Sequence, residues 1–172
     1  MRGLPTTRRG IGLAGAGLIA LGYYGFALVL VILSRIADGL DGAVARATKP
    51  TDFGGYFDIV ADFLFYGAVP LGFAFANQEE NALVAGVLLL AFYVNGATFL
   101  GYAVLAERLK LNPERFNGTK AIYFSAGLLE GTETIAFIII ICIWPPLFAP
   151  VGIVFAALTF YTAFSRMLSA YR

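Results

Sequence analysis

Hydrophobic residues fall along the chain in six blocks, at roughly residues 11–21, 25–37, 63–76, 82–106, 121–144 and 147–165. A helix that crosses a bilayer needs about 20 mostly apolar residues. The fourth, fifth and sixth blocks approach or meet that length. The second reaches it only if its helix runs on through "SRIADGLDGAVARA" to about residue 47, and the third only if its helix starts near Gly54. The polar stretch between them therefore reads as two helix ends around a short break, "ATKPTDF", with Pro50 supplying the interruption. The first block is short and is followed by "GYYG" (residues 22–25), a tight turn. The pattern predicts an all-α integral membrane bundle of six transmembrane helices, forming a single domain over residues 1–172.

The distribution of charge orients that bundle. "GYYG", "ANQEEN" and "WPPLFAP" fall on one side and contain no Lys or Arg. The N-terminus, "RATKPTDF", "ERLKLNPERFNGTK" and "RMLSAYR" fall on the other and hold eleven of the twelve Lys and Arg residues. The positive-inside rule then places both termini in the cytoplasm. "MRGLPTTRRG" leads straight into apolar sequence without a small-residue cleavage site, so no cleaved signal is expected.

Composition narrows the class. The chain is 59% hydrophobic and 13% charged, against about 25% charged in a typical globular domain. A net charge of +1 gives no basic surface for nucleic acid. The single cysteine, Cys142, lies in an apolar run and reads as a packing residue. Histidine is absent, which leaves acid–base work to a carboxylate or, with less chemical fitness, to a lysine or tyrosine.

Against this background residues 38–62, "DGLDGAVARATKPTDFGGYFDIVAD", gather five of the eleven acidic residues. On the second helix Asp38, Asp41, Gly42 and Ala45 fall at i, i+3, i+4 and i+7. On the third, Gly54, Asp58 and Asp62 fall at i, i+4 and i+8. Each set occupies one helix face, and two facing helices would bring four carboxylates together, roughly 6–12 Å below the helix ends. Asp38 and Asp41 alone would pass for a solvated face. Four carboxylates at membrane depth need a counter-charge and mark a functional site. An oxygen-only cluster suits Mg²⁺, Mn²⁺ or Ca²⁺, the glycines leave room beside it, and Arg46 offers a planar cation to a phosphate. Together these describe a site for a diphosphate-bearing substrate. Asp52, ahead of the third helix, reads as an N-cap-type residue.

"DGLDGAVAR" followed by "GGYFDIVAD" resembles the signature of the CDP-alcohol phosphatidyltransferase family, D-x-x-D-G-x-x-A-R, a spacer, then G-x-x-x-D-x-x-x-D. All eight residue types are present, as Asp38, Asp41, Gly42, Ala45, Arg46, Gly54, Asp58 and Asp62. The spacer is seven residues where the common form has eight, and the first helix is short for the family. The resemblance implies transfer of a phosphatidyl group from a CDP-linked lipid, such as CDP-diacylglycerol, to a small polar alcohol, with release of CMP. It implies that Asp38, Asp41, Asp58 and Asp62 hold Mg²⁺ or Mn²⁺ in a two-ion site and that Asp62 serves as general base. It assigns Asp38, Gly42, Ala45, Arg46 and Gly54 to the cytidine diphosphate pocket. It also implies a homodimer, and the charge pattern puts the active site towards the cytoplasm of what reads as a bacterial inner membrane.

The acceptor is less constrained. Tyr66, Gly67 and Pro70 resemble the aromatic-Gly-x-x-Pro segment of the phosphatidylserine synthase branch. Ile59 and Phe63 stand where the phosphatidylglycerophosphate synthase branch has the Pro and Lys of its "DPxADK" form. That leans towards a serine-type acceptor. Lys120 and Arg166, near the ends of apolar spans, are candidates for holding a phosphate and lean the other way. Glu130 and Glu133 lie deep in the fifth helix. Glu130 either pairs with Arg35 or forms, with Glu133, a polar floor that contacts the acceptor. Two other functions compete: a divalent-cation transporter or channel subunit, whose ion path would be the carboxylates, and an inactive family member kept as a partner subunit. The off-centre carboxylates beside Arg46 oppose the first, and the complete acidic set opposes the second.

Overall fold

The structure, a computed structural model, describes residues 6–47, 52–108 and 131–171, and their side chains except at 6–9, 11, 38–47 and 52. All of the described secondary structure is helical: α1 (Thr6–Ala20), α2 (Tyr24–Ala47), α3 (Asp52–Ala76), α4 (Gln78–Arg108), α5 (Gly131–Ile143), a 3₁₀ turn (Pro145–Leu147) and α6 (Phe148–Tyr171). Among the described residues, Phe53–Ala76, Gln78–Arg108 and Pro145–Tyr171 are long and apolar enough to cross a membrane, and Tyr24–Ala37 and Gly131–Ile143 are shorter apolar segments.

α2 runs unbroken to Ala47, as its length requirement demanded. α3 begins two residues before Gly54, so Asp52 is its first helical residue and does not precede the helix. The expected loop "ANQEEN" contracts to Asn77 alone. The backbone N–H of Glu80 donates to Asn77 Oδ1 at 3.3 Å, and Asn77 Nδ2 donates to Glu80 Oε2 at 2.9 Å. This reciprocal cap starts α4 immediately after α3. α6 likewise absorbs most of "RMLSAYR", because no Gly or Pro follows Gly152 to end it. The α1–α2 turn forms where expected, with Gly22 at φ 79°, a backbone state that glycine reaches without steric penalty.

The helices touch in a closed cycle: α1 with α3, α3 with α4, α4 with α6, α6 with α5, α5 with α2, and α2 with α1. Small residues set the closest approaches. A Cβ at Gly72 would lie 2.7 Å from the Ala16 carbonyl oxygen, and one at Gly152 2.8 Å from Val84 Cγ1. Such contacts let membrane helices pack backbone to backbone.

The end of the bundle that carries the Gly22, Asn77 and Pro145–Leu147 turns is filled by rings. Phe73 stacks on Phe148 at 4.4 Å and 2° and on Tyr24 at 5.5 Å, joining α3, α6 and α2. Phe137 stacks on Phe155 at 4.4 Å further along, tying α5 to α6. Phe73 and Phe148 are fully buried, and buried Cys142 packs in the same core, the role its apolar neighbourhood suggested.

Candidate active site

At the opposite end, α3 carries Asp58 and Asp62 one turn apart, so they share a face. Counted from Asp52, they stand about 9 and 15 Å along the helix, deeper than a helix starting at Gly54 would put them. Asp58 is exposed, and the Asp62 side chain is 38% exposed. Arg35 of α2 reaches Asp62, with Nη1 3.4 Å from Oδ1. Arg35 Nη2 donates to Ser34 Oγ at 3.4 Å, and the guanidinium lies 4.9 Å from the centre of the Phe65 ring. Asp58, Asp62, Arg35 and Ser34 thereby enclose a small recess.

α1 forms the back of this recess. A Cβ at Gly12 would lie 3.0 Å from Phe65 Cδ2 and 3.3 Å from Ser34 Oγ. The short first helix is therefore a wedge against both α2 and α3, and its small residues let Arg35 and Asp62 meet across it.

A second, larger space opens on the other side of Asp62. A cavity of about 580 Å³ lies between α3, α4, α5 and α6, within the ~300–1,000 Å³ typical of small-molecule sites. Rings dominate its walls, among them Phe63, Tyr66, Phe92 and Phe99. Phe63 seats against Gly96 of α4 so closely that a Cβ there would lie 2.6 Å from Cζ and nearer still to Cε1. Arg166 of α6 also lines the cavity. It is only 7% exposed, and its Nη1 donates to Asn95 O at 3.1 Å, Asn95 Oδ1 at 3.0 Å and Thr98 Oγ1 at 3.0 Å. Its guanidinium lies 5.7 Å from the centre of the Phe99 ring. A cation held by several fixed acceptors is oriented before any ligand arrives, which lowers the entropy lost on binding. Asp62 lines both the recess and the cavity, and no other side chain described above belongs to both.

Of the residues singled out in the sequence, Asp58 and Asp62 share one recess, and Arg166 joins Asp62 in the cavity. Gly54 is exposed in the first turns of α3. The side chains of Asp38, Asp41, Gly42, Ala45 and Arg46 lie outside the described residues, as do Lys120 and Glu130. Among the described residues there is no group of three metal-ligating side chains. Asp58 and Asp62 are the two signature aspartates whose side chains are described, and their paired oxygens are the donor type that Mg²⁺ and Mn²⁺ prefer. Glu133, in the first turn of α5, is exposed.

Several residues escaped the sequence reading. The pairing of Arg35 with Glu130 lies outside the described residues; among those described, Arg35 contacts Asp62. The signal was available: Arg35 precedes Asp38 by three residues, the spacing that groups the aspartates themselves. The anchors of Arg166 (Asn95 and Thr98) and the Phe63–Gly96 contact carry no such local mark.

Comparison with known proteins adds an independent line. The sequence pattern of the family described as CDP-alcohol phosphatidyltransferase matches residues 6–164. The chain is 44% identical over 169 residues to "Inner membrane protein YnjF" of Escherichia coli K12, covering 98% of this chain and 82% of that protein. It is 38% identical over 106 residues to a CDP-diacylglycerol–serine O-phosphatidyltransferase of Methanocaldococcus jannaschii, covering 55% of this chain and 52% of that protein. It is 41% identical over 66 residues to a protein of the same name from Helicobacter pylori, covering 38% of this chain and 28% of that protein. No solved structure matches.

Proposed function

The chain is a member of the CDP-alcohol phosphatidyltransferase family, and from that premise we propose that it moves a phosphatidyl group from CDP-diacylglycerol to a small polar alcohol at the acidic end of the bundle. The hydroxyl oxygen of the acceptor attacks the phosphorus of the phosphatidyl group. The bond from that phosphorus to the bridging oxygen breaks, and CMP leaves. Asp62 takes the hydroxyl proton, a role for which the chain offers no histidine.

The observation that carries this reading is the position of Asp62 on the wall common to the recess and the cavity. A base in such a transfer must reach the acceptor hydroxyl while standing beside the donor phosphate. Asp62 meets that need if the donor lies over the aspartates and the acceptor lies in the cavity. Asp38, Asp41, Asp58 and Asp62 would hold two divalent ions, Mg²⁺ or Mn²⁺. When bound, these ions polarise the diphosphate and offset the charge of the departing CMP. Gly42, Ala45, Arg46 and Gly54, with Asp38, would form the cytidine side of the site. Arg35 restrains Asp62 from the rear. Arg166 would receive the polar end of the acceptor, with Lys120 and Glu130 as further candidates. The serine transferases among the relatives favour a serine-type alcohol over glycerol 3-phosphate.

The apolar helices and the inner-membrane relative identify an integral membrane protein. We place six spans in a bacterial inner membrane, with both termini and the acidic end on the cytoplasmic side, because the Lys and Arg residues gather there, and we expect a homodimer. Cation transport fits the geometry less well. The Tyr24–Phe73–Phe148 stack fills the core beyond the carboxylates, and Arg35 stands next to Asp62 where an ion would pass.

The test is CMP release and lipid product, followed by mass spectrometry, from purified protein with CDP-diacylglycerol, Mg²⁺ or Mn²⁺, and serine, glycerol 3-phosphate or inositol phosphate. One matched lipid product is expected. It should disappear on chelation of the metal, return on its re-addition, and fall about 10²–10⁴-fold in Asp62→Asn. Full activity in a folded Asp62→Asn protein would remove Asp62 from the chemistry.

A further inference from the structure

We propose that Phe63, seated on Gly96, is the residue that sets how large an alcohol the site accepts. The inference rests on the transferase reading and deepens it. Phe63 directly follows Asp62 on α3, and both line the 580 Å³ cavity. An alcohol that offers its hydroxyl to Asp62 inside that cavity has the Phe63 ring among the walls around its carbons.

The ring's position is fixed from the other side. Gly96 is buried in α4, and the space where its Cβ would stand is already occupied by Phe63. An aromatic ring that fills the notch of a glycine is held against α4. Any side chain at position 96 must push it back. The neighbouring residue, Asn95, anchors Arg166 through both its carbonyl and its side chain. The notch, Asp62 and Arg166 thus line one cavity, where the body of an acceptor would lie. Gly96 acts through Phe63 and is a positioning residue, whereas Phe63 touches the acceptor.

Two substitutions should move selectivity in opposite directions. Phe63→Ala enlarges the space beside Asp62. Gly96→Ala drives the ring into it. The measurement is kcat/KM for a bulky acceptor relative to a compact one, with CDP-diacylglycerol as donor and inositol phosphate, glycerol 3-phosphate and serine as probes. Phe63→Ala should raise the bulky-to-compact ratio about tenfold, with the change carried by the acceptor's KM. Gly96→Ala should raise KM for the larger of any two accepted alcohols more than for the smaller. Phe63→Leu, intermediate in volume, should fall between the wild type and Phe63→Ala, and it serves if Gly96→Ala fails to fold. A general loss of packing would lower turnover of every alcohol alike and could not produce opposite signs. A folded Phe63→Ala protein with the wild-type ratio overturns the inference and leaves the transferase reading intact. A wild-type protein that releases no CMP with any probe overturns both.

Discussion

The two ends of this bundle are built from the same described helices and solve opposite problems. At the end with the short turns, rings from α2, α3 and α6 stack face to face. At the other end the same α3 and α6, joined by α4 and α5, stand around a cavity of about 580 Å³. The difference is made by a few residue types. Apolar rings at the closed end find flat partners within 4.4–5.5 Å. At the open end charged groups stand among rings and are held by polar partners: Arg35 by Asp62 and Ser34, Arg166 by Asn95 and Thr98. One end supplies cohesion, which the other consumes in keeping charged groups and an open space inside a membrane protein.

If that division is sound, substitutions at the closed end should change stability and leave the chemistry of the folded fraction alone. Phe73→Ala removes the middle ring of the stack and should lower stability by about 3–5 kcal/mol, seen as a large fall in melting temperature in detergent. Turnover per folded molecule should persist, and its loss would break the comparison. Asp58→Asn should do the reverse. A drop in kcat/KM of about a hundredfold or more is expected, at least what loss of an outer partner at a metal site can bring, with the melting temperature unmoved.

Arg35 stands on the border. Arg35→Ala removes an ion pair, a hydrogen bond and a cation–ring contact that are mostly sheltered from solvent. A loss of about 1 kcal/mol in stability is expected, together with a several-fold fall in turnover as Asp62 loses its restraint. A change in neither would show that the 3.4 Å contact restrains nothing. The smallest effect should come from Thr98→Val, which deletes one of the hydrogen bonds that hold Arg166 Nη1. With about 0.5–1.5 kcal/mol in play, the acceptor's KM should rise about two- to tenfold while the KM for the CDP-lipid stays as it was.

Much of this could be read from the chain. The second and third helices had to extend into the acidic stretch to be long enough, and they do. Asp58 and Asp62 share a face because four residues is close to one helical turn. What was lost lay between helices. The one-residue α3–α4 junction depends on the Asn77–Glu80 cap, which competes with a hydrophilic loop of identical composition. That Arg35 reaches Asp62 depends on the register of α2 against α3, which helical spacing within either helix does not give. Gly96 is one of 20 glycines, and nothing local separates a glycine that receives a ring from one that merely faces lipid. The cavity brings together residues 59 to 166, so no window of sequence contains it.

The junction at Asn77 has a mechanical consequence. With one residue between them, α3 and α4 form a pair of tongs hinged at the closed end. Phe63 lies 14 residues from that hinge, about 21 Å at 1.5 Å per residue. Over such an arm a relative tilt of about 3° shifts the jaw by about 1 Å, comparable with the tolerance within which a reacting group must be held. The contact between Phe63 and Gly96 is thus a gauge of hinge angle, and anything that tilts these two helices against each other acts on the spacing beside Asp62.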